Sequence, residues 1–257
     1  MYRVTLNGAH CIQQTWDNAL NVDGWADEVF FTWSVANRTP ATNAPSRGRS
    51  AVYGDTNMHP DRIKAGDATP NGGIRNQNFF PIRLGLPPGA PPNFPPIFPL
   101  PPWSDKAQDG FPILLWQGNV GPNDLVAITP LIWEWDGANV NPKPAIDVAN
   151  DIAMAICAAV AAVNPAVGII GGIVGSVVSM VANQLGIAGD RPIGANLEDP
   201  ASAQNTSWPE LSFNGASVAG AATVDNGYGP GIYRFVQKDP ATIGGGEYAF
   251  YVQIAKV

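Results

Sequence analysis

The chain has 257 residues, of which 45% are hydrophobic, enough for one large β domain or two small ones with a true core. Its 28 Gly and 25 Pro favour many short strands and loops over a helical bundle. Fourteen basic against 21 acidic residues give a net charge of −7 with no Lys/Arg cluster, which argues against nucleic acid as a partner and against electrostatic docking to anionic lipid unless bound cations reverse the local field.

Residues 1–6 read as the start of a strand, without the basic and apolar regions of a secretory signal. A cytoplasmic chain, one exported by a non-classical route, or an already processed one is expected. Residues 2–14 and 28–36 are rich in Val, Thr, Phe and Trp, and with the acidic turn 17–27 they make a strand, loop, strand unit. Residues 37–78 are polar and predict long surface loops, with short strand candidates at 51–53 and 62–63. Cys11 and Cys157 lack the spacing of a redox or metal motif and are expected as free buried thiols.

Nine prolines in the sixteen residues 87–102, interleaved with Phe94, Ile97, Phe98 and Leu100, predict an extended strap packed on its own domain, with an SH3-like partner as the alternative. Residues 111–117 and 124–135, joined by the turn 118–123, are the strongest strand candidates, and the pair is expected to lie in the core sheet. A second hairpin is expected from 231–236 and 247–256, with Tyr248, Phe250, Val252 and Ile254 on one face.

Between these pairs lies a charge-free stretch of 38 residues, 152–189, containing sixteen Ile, Val, Leu or Met. Leaving them all in water would forfeit about 24 to 48 kcal/mol, so protein, a partner or lipid must cover them. Asn164-Pro165 is an N-cap followed by Pro at the first helical position, which predicts a helical hairpin over 145–187. Gly168, Gly171, Gly172 and Gly175 supply small-residue contacts for close helix approach.

The segment Asn21-Val22-Asp23-Gly24-Trp25-Ala26-Asp27-Glu28-Val29-Phe30, following an apolar strand, resembles the first top loop of C2 domains. Leu131-Ile132-Trp133-Glu134-Trp135-Asp136-Gly137 is similar to the C2 strand that runs into the third top loop, and Asp190-Arg191-Pro192-Ile193-Gly194 to the acidic and Ile-Gly segment after it. With the final strand, about 80 of the 257 residues match in order. The resemblance implies a mainly β fold: one antiparallel C2-like β-sandwich over 1–257, with the helical hairpin inserted near its acidic end. It also implies calcium as cofactor, held by Asn21, Asp27, Glu134, Asp136 and Asp190, with Asn21 in place of an acidic ligand weakening the site by one charge. The rival reading is that these acidic residues solvate loops and cap turns.

The expected function is non-enzymatic binding: calcium-assisted attachment to a membrane lipid or protein surface through the acidic loops and the apolar hairpin. The alternatives are a structural subunit of a homo-oligomer or filament, with the hairpin buried between copies, and a pore-forming or toxin-like protein. A catalytic reading does poorly, because the two histidines, His10 in the first strand and His59 in a polar loop, belong to no metal-ligand motif and no nucleophile elbow, P-loop, dinucleotide fingerprint or zinc-protease motif occurs. No small-molecule substrate is indicated.

Overall fold

The computed structural model describes residues 1–15, 26–38, 43–57, 59–80, 110–135, 191–193, 211–238 and 245–257. They form two β-sheets packed face to face, a mainly β, sandwich-like fold. The strap 87–102 and the hairpin expected over 145–187 lie outside these residues.

The first sheet is built on β1 (Tyr2–Gln13) and the final strand β12 (Glu247–Lys256), which pair antiparallel from Tyr2 with Lys256 to Gln13 with Glu247. β11 (Ile232–Lys238) pairs with the outer edge of β12, which makes the expected C-terminal hairpin. On its other edge β1 pairs with β7 (Ile113–Gly118) along its first half and with β6 (Phe79–Phe80) along its second.

The second sheet is built on β2 (Val29–Arg38) and β8 (Leu125–Glu134), antiparallel over their full lengths from Val29 with Glu134 to Arg38 with Leu125. β3 (Asn43–Arg49) and β4 (Tyr53–Gly54) pair with the free edge of β2, and β5 (Ile63–Lys64) joins β4 in parallel. β9 (Arg191–Pro192) and β10 (Leu211–Asn214) pair with the other edge of β8. A short helix, α1 (Val218–Ala221), follows β10 and buries Val218.

Two local expectations change. The strands at 111–117 and 124–135 do not lie in one sheet: β7 joins β1 in the first sheet, whereas β8 joins β2 in the second, and the chain crosses between layers at the turn. The polar stretch 37–78 holds more sheet than expected: β4 and β5 fall at the short strand candidates 51–53 and 62–63, and β3 adds a seven-residue strand along the edge of β2.

The core between the sheets takes alternate residues of each long strand: Val4, Leu6 and Ala9 of β1, Val29, Phe31 and Val35 of β2, Val126, Ile128 and Ile132 of β8, and Tyr248, Phe250, Val252 and Ile254 of β12. An aromatic cluster of Phe31, Tyr53, Phe80 and Phe111, with ring centroids 5.0 to 6.2 Å apart, fills one part of it. Cys11 is buried and free, as expected; Cys157 lies outside the described residues.

Candidate functional site

The polar cluster of the interior is assembled where β1 ends, where the chain enters β2 and where β8 ends. Asp27 is fixed by a two-way backbone pair with Ile74, its N–H donating to Ile74 O at 2.8 Å and its carbonyl accepting from Ile74 N at 3.0 Å. Thr15, two residues beyond β1, donates its backbone N–H to Asp27 Oδ2 at 2.9 Å, and its hydroxyl lies 2.8 Å from Asp27 Oδ1. The same hydroxyl touches Glu134 Oε1, and the Tyr248 hydroxyl donates to Asp27 Oδ2. Asp27 is 1% exposed and Glu134 2%.

A threonine hydroxyl carries one hydrogen, yet here it is shared by two carboxylates. When both carboxyl groups are ionised, only one of the two contacts can be a hydrogen bond donated by Thr15. Both become hydrogen bonds when one carboxyl keeps its proton and donates to the threonine oxygen. Burial, followed by the charge of Glu134, pushes Asp27 up to about 7, against the opposing donors Tyr248 and Thr15. The pair is therefore poised to hold one positive charge between its oxygens, a proton or a cation.

The groups beside the pair are poor nucleophiles and good donors. Burial, reinforced by the Asp27 charge, raises the Cys11 thiol well above its ordinary range, so the reactive thiolate is suppressed. Tyr248 is likewise raised, chiefly by burial and then by Asp27 and Cys11, and so remains a hydroxyl donor. Neither Thr15 nor Tyr248 stands out as a ligand in the sequence. Tyr248 is legible there as an inward residue of the last strand, but its acidic partner 221 positions away is not.

A second buried network lies next to the first along the chain. Arg62 Nη1 stands 3.4 Å from Glu28 Oε1 and donates to Asp55 O at 3.1 Å, while Thr69 donates its hydroxyl to Asp55 Oδ2 at 2.8 Å. Glu28 and Asp27 thus diverge into separate polar pockets, the consequence of strand alternation at the start of β2.

Of the five expected ligands, the fold brings Asp27 and Glu134 together, buried rather than displayed on open loops. Asn21, Asp136 and Asp190 lie outside the described residues. The described residues that border them converge: Glu134 pairs in register with Arg191, and Trp135 N donates to Glu28 O at 2.7 Å. Among the described residues no group of three or more His, Cys, Asp or Glu side chains is arranged to hold a metal. The carboxylates and the Thr15 and Tyr248 hydroxyls around them are oxygen donors, with the Cys11 thiol beside Tyr248. Comparison of the chain with protein-family models, curated proteins and solved structures found no match.

Proposed function

We propose that this is a non-enzymatic binding protein whose acidic sandwich end takes a calcium ion and uses it to attach to a membrane or protein surface. The observation that supports this reading is the meeting of Asp27 and Glu134 across the one hydroxyl of Thr15. Two carboxylates held this close are stabilised by a bound positive charge, and a divalent cation would compete with the proton for their oxygens. Asp27 and Glu134 would form the inner part of the coordination shell, with Asp136 and Asp190, next in sequence to Trp135 and Arg191, and Asn21, five residues before Ala26, as the remaining candidates. Calcium takes six to eight oxygens, so the pair alone does not complete the shell. A bound ion would reverse the local sign of an otherwise acidic surface and so permit contact with phosphate or carboxylate groups of a partner.

Thermal unfolding with EDTA and with millimolar calcium, for the parent, Asp27→Asn and Asp136→Asn, tests the reading. An ion that binds only the folded chain raises the midpoint by mass action, by about 2.7 kcal/mol of stability at a hundredfold excess over Kd. Calcium is expected to raise the parent midpoint and to lose that effect in both variants. Equal midpoints with and without calcium in the parent would overturn it.

A further inference from the structure

β11 turns Tyr233, Phe235 and Gln237 inward, and the last of these sets a carboxamide where alternation places an apolar side chain. Gln237 is 2% exposed, so both ends of its amide need partners. It finds them on the opposite sheet, at the point where β9 leaves β8. Ile193 N donates to Ile132 O at 3.0 Å, and in an antiparallel ladder the same pair would exchange a second bond, from Ile132 N to Ile193 O. The carboxamide stands between those two groups: its Oε1 accepts from Ile132 N at 2.8 Å, and its Nε2 donates to Ile193 O at 3.0 Å. One side chain thus replaces a direct backbone bond and stitches the first sheet to the second. Pro130, the next residue of β8 facing that edge, has no N–H to leave unpaired.

The stitch adjoins the acidic cluster on two sides. Ile132 and Glu134 are successive inward residues of β8, so whatever fixes Ile132 fixes the strand end from which Glu134 projects. Gln237 also stands directly opposite Tyr248 in the register of β11 and β12, and the Tyr248 hydroxyl donates to Asp27 Oδ2. A single cross-strand pair of the first sheet therefore grips both carboxylate-bearing segments of the second, Tyr248 at the entry to β2 and Gln237 at the exit of β8. We infer that Gln237 is a positioning residue of the acidic site, which holds Glu134 at the hydroxyl it shares with Asp27 by fixing Ile132 and β9. Its consequence for a bound ion rests on the cation reading above; the positioning itself does not.

The test uses the full chain. Gln237→Met keeps the length of the side chain and removes the amide. Phe235→Leu, one inward position earlier and packed on Phe250 at 5.7 Å, weakens the same strand without touching the stitch. In EDTA, the amide proton of Thr15, which is donated to Asp27 Oδ2, reports the joint through its chemical shift. It is expected to move in Gln237→Met and to stay in Phe235→Leu. A Thr15 resonance unmoved in Gln237→Met, with shifts confined to Ile132, Ile193 and their neighbours, would reduce Gln237 to a structural staple and overturn the inference. If Gln237→Met does not fold, Thr15→Val gives the reciprocal reading: the side-chain amide resonances of Gln237 are expected to move, and their staying fixed overturns it. Calcium titration by calorimetry then separates this inference from the cation reading. Loss of an outer partner of this kind weakens metal affinity by about 10- to 100-fold, which is expected for Gln237→Met and not for Phe235→Leu. A parent that binds no calcium overturns the cation reading and leaves the Thr15 shift to decide the positioning. A parent that binds it, with Gln237→Met binding equally well, overturns the positioning.

Discussion

Asp27 and Glu134, from opposite halves of the chain, share the hydroxyl of Thr15 inside the sandwich. The contact ties the entry to β2 to the exit of β8 and to the end of β1. It is a polar joint in an interior that is otherwise largely aliphatic and aromatic, and its stability depends on protonation.

Because burial and Glu134 raise Asp27 from 3.8 to about 7, the folded chain keeps a proton that the unfolded chain has released throughout that window. Stability from this group therefore falls as pH rises from about 4 to about 7 and levels off above it. Glu134→Gln removes the neighbouring charge and lowers the Asp27 pKa, so in EDTA its thermal midpoint relative to the parent should be higher at pH 8 than at pH 5. A difference that is the same at both pH values would show that the two carboxylates do not interact.

His10 carries the opposite sign. It stacks on Phe79 with ring centroids 3.8 Å apart, and burial, with a smaller contribution from Arg234, lowers it from 6.5 to about 4 against the opposing hydrogen bond to Gln77. The fold then penalises the charged imidazole, so this contribution to stability is lost as pH falls from about 6.5 towards about 4. His10→Phe should flatten that part of the stability profile measured by urea titration. An unchanged acid limb would assign it to other groups.

The buried ion pair of Arg62 and Glu28, 3.4 Å apart, should be costly to break from one side. Arg62→Met leaves the Glu28 carboxylate buried without its guanidinium and should cost about 3–5 kcal/mol. Adding Glu28→Gln to that variant should recover part of the loss. A denaturant midpoint for Arg62→Met within error of the parent would mean that water reaches Glu28.

Gly66 has φ +78° and bridges Gly73, and a Cβ built on it would stand 2.0 Å from Gly73 O. The neighbour is backbone and cannot swing aside. Gly66→Ala should therefore cost more than the ~1–2 kcal/mol of the left-handed conformation alone. Gly220→Ala, where nothing lies within 4 Å, is the matched control and should leave the midpoint nearly unchanged.

The long strands were legible in the sequence because burial on one face leaves a period of two, as in Tyr248, Phe250, Val252 and Ile254. Asp27 and Glu134 were grouped in the sequence only through the resemblance of their segments to the top loops of C2 domains, and the structure sets both carboxylates against the Thr15 hydroxyl. Their burial was not legible, nor were Thr15 and Tyr248 as their partners, because contacts between distant strands leave no local pattern.

Sequence by itself determined the mainly β class, the ends of the principal strands and the need to cover residues 152–189, since propensity, alternation and hydropathy are local properties. Tertiary structure alone decided that adjacent strand candidates join different sheets and that two carboxylates meet across one hydroxyl. It also decided that Ser34 and Thr129, polar residues at positions that alternation assigns to solvent, are buried. Each of these follows from which surfaces come together, and only the assembled layers settle that.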